Sequence, residues 1–428
     1  MRKLYYSIFY SLVTIMFISC ANVEDDTFGS SSSDRIDVAI ATSEEILTSK
    51  ENGWLMEYYP GTNQPYGGYN ILMKFDPSGT VSISSELYPS TQVNTSFYTI
   101  TQSAGVVLSF DTYNEIFHFF ADPSDPSGVG GRGIGLEGDY DFQIMEATSE
   151  KVVLRGKKSG ELTTLTPYEG DWSDYITDIN AAEDLMLFSD LTLSIGEQSI
   201  PIASSYRVLT FTLVKDDEEE THTVGYIVTK TGYKLYEPIE INGKTITEFI
   251  YNVDSDSFTE VNDDNITLSP VILPFNEQFV DNYWYVAYSR LGSFAQPYFN
   301  DCKEGLKSTY DEEMNYVYIG YESNGSFGLN FSSSGNIGVL IFRYSFVGKD
   351  KITLQFDLRG NSIGGWYYNQ AETGVYRMLI PFGYKEPRTF TLTVDRPSKP
   401  TYITLTEDAN PTNVITLSAE RVNNPFDN

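Results

Sequence analysis

Residues 69–83 read YNILMKFDPSGTVSI, and residues 331–339 read FSSSGNIGV. Both hold an aromatic residue, a Ser-Gly pair and then alternating apolar positions, F-x-x-S-G-x-[VI]-x-[IV]. Glycine supplies the positive φ that a tight turn between two strands requires, so each stretch reads as a β-hairpin. An aromatic strand precedes each (YNILMKF and FGLNF), and a Leu-x-Phe-Asp strand follows, at Leu108–Asp111 and Leu354–Asp357. The match suggests two related antiparallel units, near residues 51–170 and 280–420. Between them, YRVLTFTLVKDDEEETHTVGYIVTKTGYKLYEP (206–238) reads as further long hairpins.

The chain of 428 residues is long enough for two or three domains, and its 32 Tyr and 26 Phe, with recurring Thr and Ser, favour strands. The expected fold is mainly β, with two or three antiparallel sandwich- or barrel-like domains and a few covering or linking helices. Period-two patterning does not distinguish a closed barrel from a sandwich. Helices are predicted over Asp34–Lys50, where Ile36, Ala39, Ile40, Ser43 and Leu47 share a face, and over about 171–188 and 301–313. The expected organisation is 1–19 signal peptide, 20–33 tether, 34–170 helix plus β domain, 171–268 helix plus hairpins, and 269–428 C-terminal β domain.

At the N-terminus, Met1-Arg2-Lys3 is basic, Leu4 to Ile18 is apolar, and Ser19-Cys20 closes the run. These are the parts of a secretory signal peptide, and the apolar run is short for a spanning helix. Phe17-Ile18-Ser19-Cys20 resembles a lipobox, which makes Cys20 the expected lipid attachment site. Ala21 to Asp26 (ANVEDD) resembles the acidic tag that sends lipoproteins of Bacteroidota-type bacteria to the exterior of the outer membrane. The expected location is therefore the outer membrane, facing outward, held only by the lipid. Cys302 is then the one cysteine left, and it reads as a small buried hydrophobe. A net charge of −31 repels phosphate backbones, so no nucleic-acid partner is expected.

Residues 128–138, GVGGRGIGLEG, contain G-x-G-x-x-G. A dinucleotide site needs a buried strand before the loop and a helix opening directly after it. Here ADPSDPS precedes and the strand-like GDYDFQIMEATSEKVVLRGKKSG follows. No βαβ unit can be drawn, so the loop is expected to bind no nucleotide, and nothing asks for a cofactor.

The series Gly53–Pro60 (GWLMEYYP), YGGYNILMKFDPSGTVSISSE, LSFDTYNEIFHFFADP, GDYDF and VVLRGKKSG resembles the DUF4302 family, most densely over about 51–170 and more weakly to about 265. Members are lipoproteins without an assigned activity, many encoded near outer-membrane nutrient-uptake components. The resemblance implies a surface accessory role and transfers no site residue.

The chain has two histidines, His118 and His222. His118, within EIFHFF, reads as a half-buried structural imidazole on an aromatic strand. His222 follows the acidic run Asp216–Glu220, at a hairpin turn or strand start. No H-E-x-x-H, C-x-x-C or G-x-S-x-G motif occurs, so no catalytic residue and no metal ligand is assigned. Asp254-Ser255-Asp256 with Glu260, Asp263 and Asp264 has D-x-D spacing but lacks the glycine and terminal glutamate of a calcium loop. A glycosidase-type carboxylate pair could be assembled by the fold without a sequence trace.

Aromatic clusters offer the binding candidates. Gly364-Gly365-Trp366-Tyr367-Tyr368-Asn369-Gln370 reads as a loop whose rings could stack on sugars. Trp284, with Tyr283, Tyr285 and Tyr288, is a second patch; Trp54 reads as core. The expected function is non-catalytic binding of a polysaccharide or other polymer for an uptake system. The alternatives are a structural adaptor docking onto other surface lipoproteins or a transporter, and a hydrolase using a carboxylate pair.

Overall fold

The computed structural model describes residues 31–215, 218–322 and 325–427. The predicted signal peptide, Cys20 and most of the tether lie outside the described residues, as do Asp216 and Asp217 of the acidic run. Three closed eight-stranded antiparallel barrels make up the sheet structure. The first consists of β1 (Trp54–Tyr58), β2 (Tyr69–Asp76), β3 (Thr80–Ser85), β4 (Asn94–Gln102), β5 (Val106–Phe110), β6 (Asp141–Ala147), β7 (Val152–Gly156) and β8 (Leu162–Pro167). The second runs through β9 (Asp190–Ile195), β10 (Gln198–Ser205), β11 (Val208–Lys215), β12 (Glu218–Val228), β13 (Gly232–Ile241), β14 (Lys244–Asn252), β15 (Ser257–Glu260) and β16 (Asp263–Pro270). The third has β17 (Trp284–Leu291), β18 (Met314–Tyr321), β19 (Phe327–Ser333), β20 (Asn336–Val347), β21 (Lys351–Arg359), β22 (Arg388–Val394), β23 (Tyr402–Glu407) and β24 (Val414–Ser418). The chain forms two compact units, residues up to 187 with 202–250, and 188–201 with 251–428.

Helices are few: α1 (Ser32–Thr48), the single turn α2 (Glu115–His118), α3 (Trp172–Met186), α4 (Phe275–Asp281), α5 (Gln296–Tyr310) and α6 (Ser362–Asn369). The Ser31 hydroxyl accepts from the Asp34 N–H and caps α1, which therefore begins upstream of the predicted start at Asp34. EIFHFF, expected as a strand, is a helical turn. The Asn114 side chain accepts from the Ile116 and Phe117 N–H groups, and this cap nucleates α2.

Alternation along β1 helps fill the first barrel. Trp54, Met56 and Tyr58 of β1 are buried, and they meet Ile71, Met73, Phe75, Leu154 and Leu165 in the first core. β1 pairs with both β2 and β8, so the sheet has no free edge to protect.

The two hairpins that suggested duplication are not equivalent. Phe75 pairs with Val81 across the three-residue loop 77–79, whereas Ser333 pairs with Asn336 across the two-residue loop Ser334-Gly335. A one-residue change of register reverses the faces of a strand. Val81 is therefore buried while Ile337, its counterpart in the letters, is 45% exposed. The hairpins also join second to third strand in one barrel and third to fourth in the other. A better correspondence lies at the start of each barrel. Trp54-Leu-Met-Glu-Tyr58 and Trp284-Tyr-Val-Ala-Tyr288 both open a first strand. The indole N–H of Trp54 donates to the Leu47 carbonyl at the end of α1 (2.8 Å), and that of Trp284 to the Phe279 carbonyl in α4 (2.9 Å). Each tryptophan thus satisfies a carbonyl near a helix C-terminus, where intrahelical partners run out, while filling the core.

In the first unit, a buried charge cluster ties the barrel to the central hairpins. The Arg207 guanidinium is paired with Glu86 (2.7 Å) and Glu183 (2.6 Å) and donates to the Gly68 carbonyl at 2.7 Å. It lies 4.7 Å from the centre of the Tyr69 ring. Glu86 also accepts the Asn70 N–H (2.7 Å), and the Asn70 amide donates to the Val228 carbonyl (2.9 Å). Burial disfavours the charged guanidinium, but Glu86 and Glu183 outweigh it and hold Arg207 well above the ordinary arginine range.

Replacing Arg207 by Ala strands the buried Glu86 carboxylate, so the loss in unfolding free energy is expected to be about 3–5 kcal/mol. Glu86→Gln in the same background should restore part of it. Denaturant titration followed by circular dichroism checks both values.

Candidate functional site

Trp284 is 1% exposed and belongs to the core, which removes it from the candidate ligand-binding residues. Alternation explains the outcome: with Trp284 and Val286 inward, the residues on either side face out. Tyr283 is 52% exposed, and Tyr285 sits directly opposite Tyr318 of β18 with ring centres 5.5 Å apart. Tyr318 is the centre of the cluster. Tyr283 meets it edge-on at 5.5 Å, and Tyr316, two residues earlier on the same face, lies 5.9 Å away. Gly320 makes room, since a Cβ there would stand 2.7 Å from Tyr283 Cδ1. The Tyr283 ring thus covers a stretch of strand that has no side chain of its own.

These rings line an open cleft of about 240 Å³ together with Tyr321, Glu322 and Arg421. The Tyr318 hydroxyl donates to Glu322 Oε1 (2.8 Å). Burial, then this bond to a carboxylate, push the phenol well above the usual tyrosine range, so it stays protonated as a fixed donor. The Arg421 guanidinium lies 5.0 Å from the centre of the Tyr316 ring. Beyond Tyr316 and Arg421 the surface continues into a polar hollow of about 470 Å³ whose lining adds Asn315, Ser332, Asn423, Asn424 and Asp427. Asn315 Oδ1 accepts from the Ser332 hydroxyl (3.3 Å) and the Gly335 N–H (3.1 Å), and Asn424 donates to Asp427 (2.7 Å). An aromatic floor with amides, a carboxylate and a guanidinium at its rim suits a ligand having both C–H faces and hydroxyls.

The 364–370 stretch is part of helix α6, not a loop, because Asn361 caps it by accepting the Gly364 N–H at 2.6 Å. Successive helical residues point about 100° apart, so the three rings separate. Trp366 is 44% exposed and packs on Tyr310 at 5.1 Å. Tyr367 is buried, donating to Glu312 (2.5 Å) and accepting from Asn336 (3.2 Å). Tyr368 is half-buried, stacked on Phe356 at 5.2 Å with its hydroxyl 2.9 Å from that of Tyr384. Of the four sequence candidates, Trp366 alone presents an exposed ring, and it shares no surface with the buried Trp284.

The remaining chemistry-bearing residues are placed as follows. Asp256 is held by Tyr251 (2.6 Å), Arg396 (3.3 Å) and the Ser398 N–H (3.1 Å). Glu260 is buried and accepts the Asn262 and Asp263 N–H groups. Among the described residues, no three His, Cys, Asp or Glu side chains gather as a metal site. Cys302 is buried in α5, and burial, then Asp301, raise its thiol far above the ordinary cysteine range. His222 stands in β12 beside Glu220 at 3.2 Å, and His118 ends α2. The glycines at 128–133 lie in turns closed by a bridge between Gly131 and Gly135, with strand β6 next in the chain.

Among the described residues no helix is long and apolar enough to cross a membrane. No curated protein sequence matches the chain. One solved structure, the β chain of DNA polymerase III from Streptococcus pneumoniae TIGR4, aligns at 9% identity over 91% of this chain and 97% of that one, with a TM-score of 0.10, a likeness that carries no argument. The profile of a domain of unknown function, DUF4302, matches residues 24–253, taking in the first barrel, α3 and most of the central hairpins. With more than half of its length matched, the chain belongs to the DUF4302 family.

Proposed function

We propose that this protein is a lipid-anchored outer-membrane protein of the cell surface that binds a polysaccharide without chemistry of its own, as an accessory to a nutrient-uptake system. The observation that carries the binding reading is the cleft around Tyr318. Four tyrosine rings, one just before β17 and three on the paired strands β17 and β18, face outward there, beside Glu322 and Arg421, in place of the solvated polar side chains usual on an outer barrel face. Pyranose rings present C–H faces to such aromatic surfaces, and their hydroxyls pair with carboxylate, guanidinium and amide groups. The lipid anchor and the outer-membrane address rest on Phe17–Cys20 and the acidic stretch after it.

A docking role is the second reading. Val271, Ile272 and Leu273, consecutive after β16, are 49%, 50% and 52% exposed, which is apolar surface of the kind that mates with another protein.

Against a panel of immobilised polysaccharides, the chain is expected to retain one class, and Tyr318→Ala should weaken that binding about tenfold or more, as loss of a central aromatic anchor commonly does. Tyr318→Phe keeps the ring and should cost much less. Equal retention by Tyr318→Ala and the parent, with folding intact by circular dichroism, overturns the cleft as the site. For the anchor, Cys20→Ala should move the protein from the membrane fraction to the soluble fraction and abolish incorporation of labelled fatty acid.

A further inference from the structure

The first barrel carries a separate group of exposed rings. Tyr113 is 69% exposed, Tyr140 50% and Phe97 55%. Between the two tyrosines stands the half-buried ring of His118, its centre 5.4 Å from Tyr113 and 5.9 Å from Tyr140, nearly parallel to the latter at 15°. Three neighbouring rings thus form a continuous aromatic step on the surface, remote in sequence from the Tyr318 cleft.

Their backbone is held on each side. The Phe110 N–H donates to the Tyr140 carbonyl (3.0 Å), which clasps the segments leading into Tyr113 and out of Tyr140. The Phe97 N–H donates to the Thr112 hydroxyl (2.8 Å). Below, α2 is anchored by buried Ile116 and Phe117, and the Asn114 N–H donates to His118 Nδ1 (3.2 Å). With Nδ1 accepting, the neutral imidazole carries its proton on Nε2. Burial lowers the pKa of His118, so the ring is uncharged at neutral pH. The flanking charges along the chain are acidic: Asp111, Glu115 and Asp141, the last 3.8 Å from Lys157. Such surroundings disfavour an anionic ligand and leave ring faces and one imidazole N–H to do the recognising.

We infer that Tyr113, His118 and Tyr140 form a second glycan-binding platform, for a neutral pyranose, so that one chain grips a polymer at two places. The platform stands on its own geometry; the two-point grip rests also on the reading of the Tyr318 cleft.

Because the chain has two histidines, the imidazole proton signals in nuclear magnetic resonance make a clean readout, assigned with His222→Gln. Neutral gluco-, manno- and xylo-oligosaccharides are titrated into the full chain. The expected result is a saturable shift of the His118 signal with His222 unmoved, lost in Tyr113→Ala/Tyr140→Ala and kept in Tyr318→Ala. The double variant should also weaken binding of the long polymer by about 10²-fold, through lost avidity, with oligosaccharide affinity at the cleft unchanged. A His118 signal that stays put across the panel overturns the proposal, as does a shift that His222 shares or that survives Tyr113→Ala/Tyr140→Ala. If His118 responds while Tyr318→Ala binds like the parent, the platform is supported and the cleft reading falls.

Discussion

The candidate site depends on β17 being hydrogen-bonded on both sides. Trp284 and Tyr285 pair with Ile319 and Tyr318 of β18, while Tyr285 and Val286 pair with Ser418 and Leu417 of β24. A strand so placed has no edge, and its alternate side chains are divided between a packed interior and solvent. The inward demand of Trp284 and Val286 commits Tyr285 to the surface. Closure then delivers the chain just after β24 to the same face, where Arg421 lies over Tyr316. Three segments distant in sequence, at 283–285, 316–322 and 421–427, meet because one ladder closes.

A comparable economy governs the first unit, where one residue organises a buried junction. Arg207 and Tyr206 form the two-residue turn between β10 and β11 with φ of 61° and 50°, a left-handed conformation that costs non-glycine residues on the order of 1–2 kcal/mol each. Turns of this kind normally use Asn-Gly or a close relative. The guanidinium repays the strain, since no smaller side chain would reach Glu86, Glu183 and the Gly68 carbonyl together. Gly67 lies against this turn so closely that a Cβ would stand 2.4 Å from Arg207 Cβ. Nothing in YRVLTF advertises the arrangement, because its determinants, Glu86, Glu183 and Gly67, lie elsewhere in the chain.

The fold class was legible because alternation and Ser-Gly or Asn-Gly turns are local signals, and the family resemblance was legible from residues 51–170. Barrel closure was not, since it depends on which strand returns to the first. The hairpin similarity misled for a physical reason: F-x-x-S-G closes either a two- or a three-residue loop, and the difference reverses the faces that follow. W-x-[MV]-x-Y, at 54–58 and 284–288, is the informative repeat; its three specified positions are too few to stand out among aromatic strands, and its meaning lies in the helix carbonyl that each indole reaches, seven and five residues upstream. Around residue 284 it is Tyr283 and Tyr285 that line the cleft, while Trp284 itself turns into the core. Rings two apart on a strand share a face; rings next to each other do not. The same rule in helical form scattered Trp366, Tyr367 and Tyr368.

Composition explains why tyrosine, more than tryptophan, faces solvent at these surfaces. Two of the four tryptophans, Trp54 and Trp284, fill the barrel cores. Tyrosine offers a stacking face with a hydroxyl that stays hydrated, so it can stand at the surface at little cost in solubility. A chain of net charge −31 gains nothing from recognising an anion, because each approach would be opposed by the field of the whole molecule. Stacking on neutral ring faces is insensitive to that field and to salt, which screens only charges. An acidic coat is therefore compatible with the proposed aromatic recognition: the charge favours dispersal, and stacking on a neutral ring would not be opposed by it.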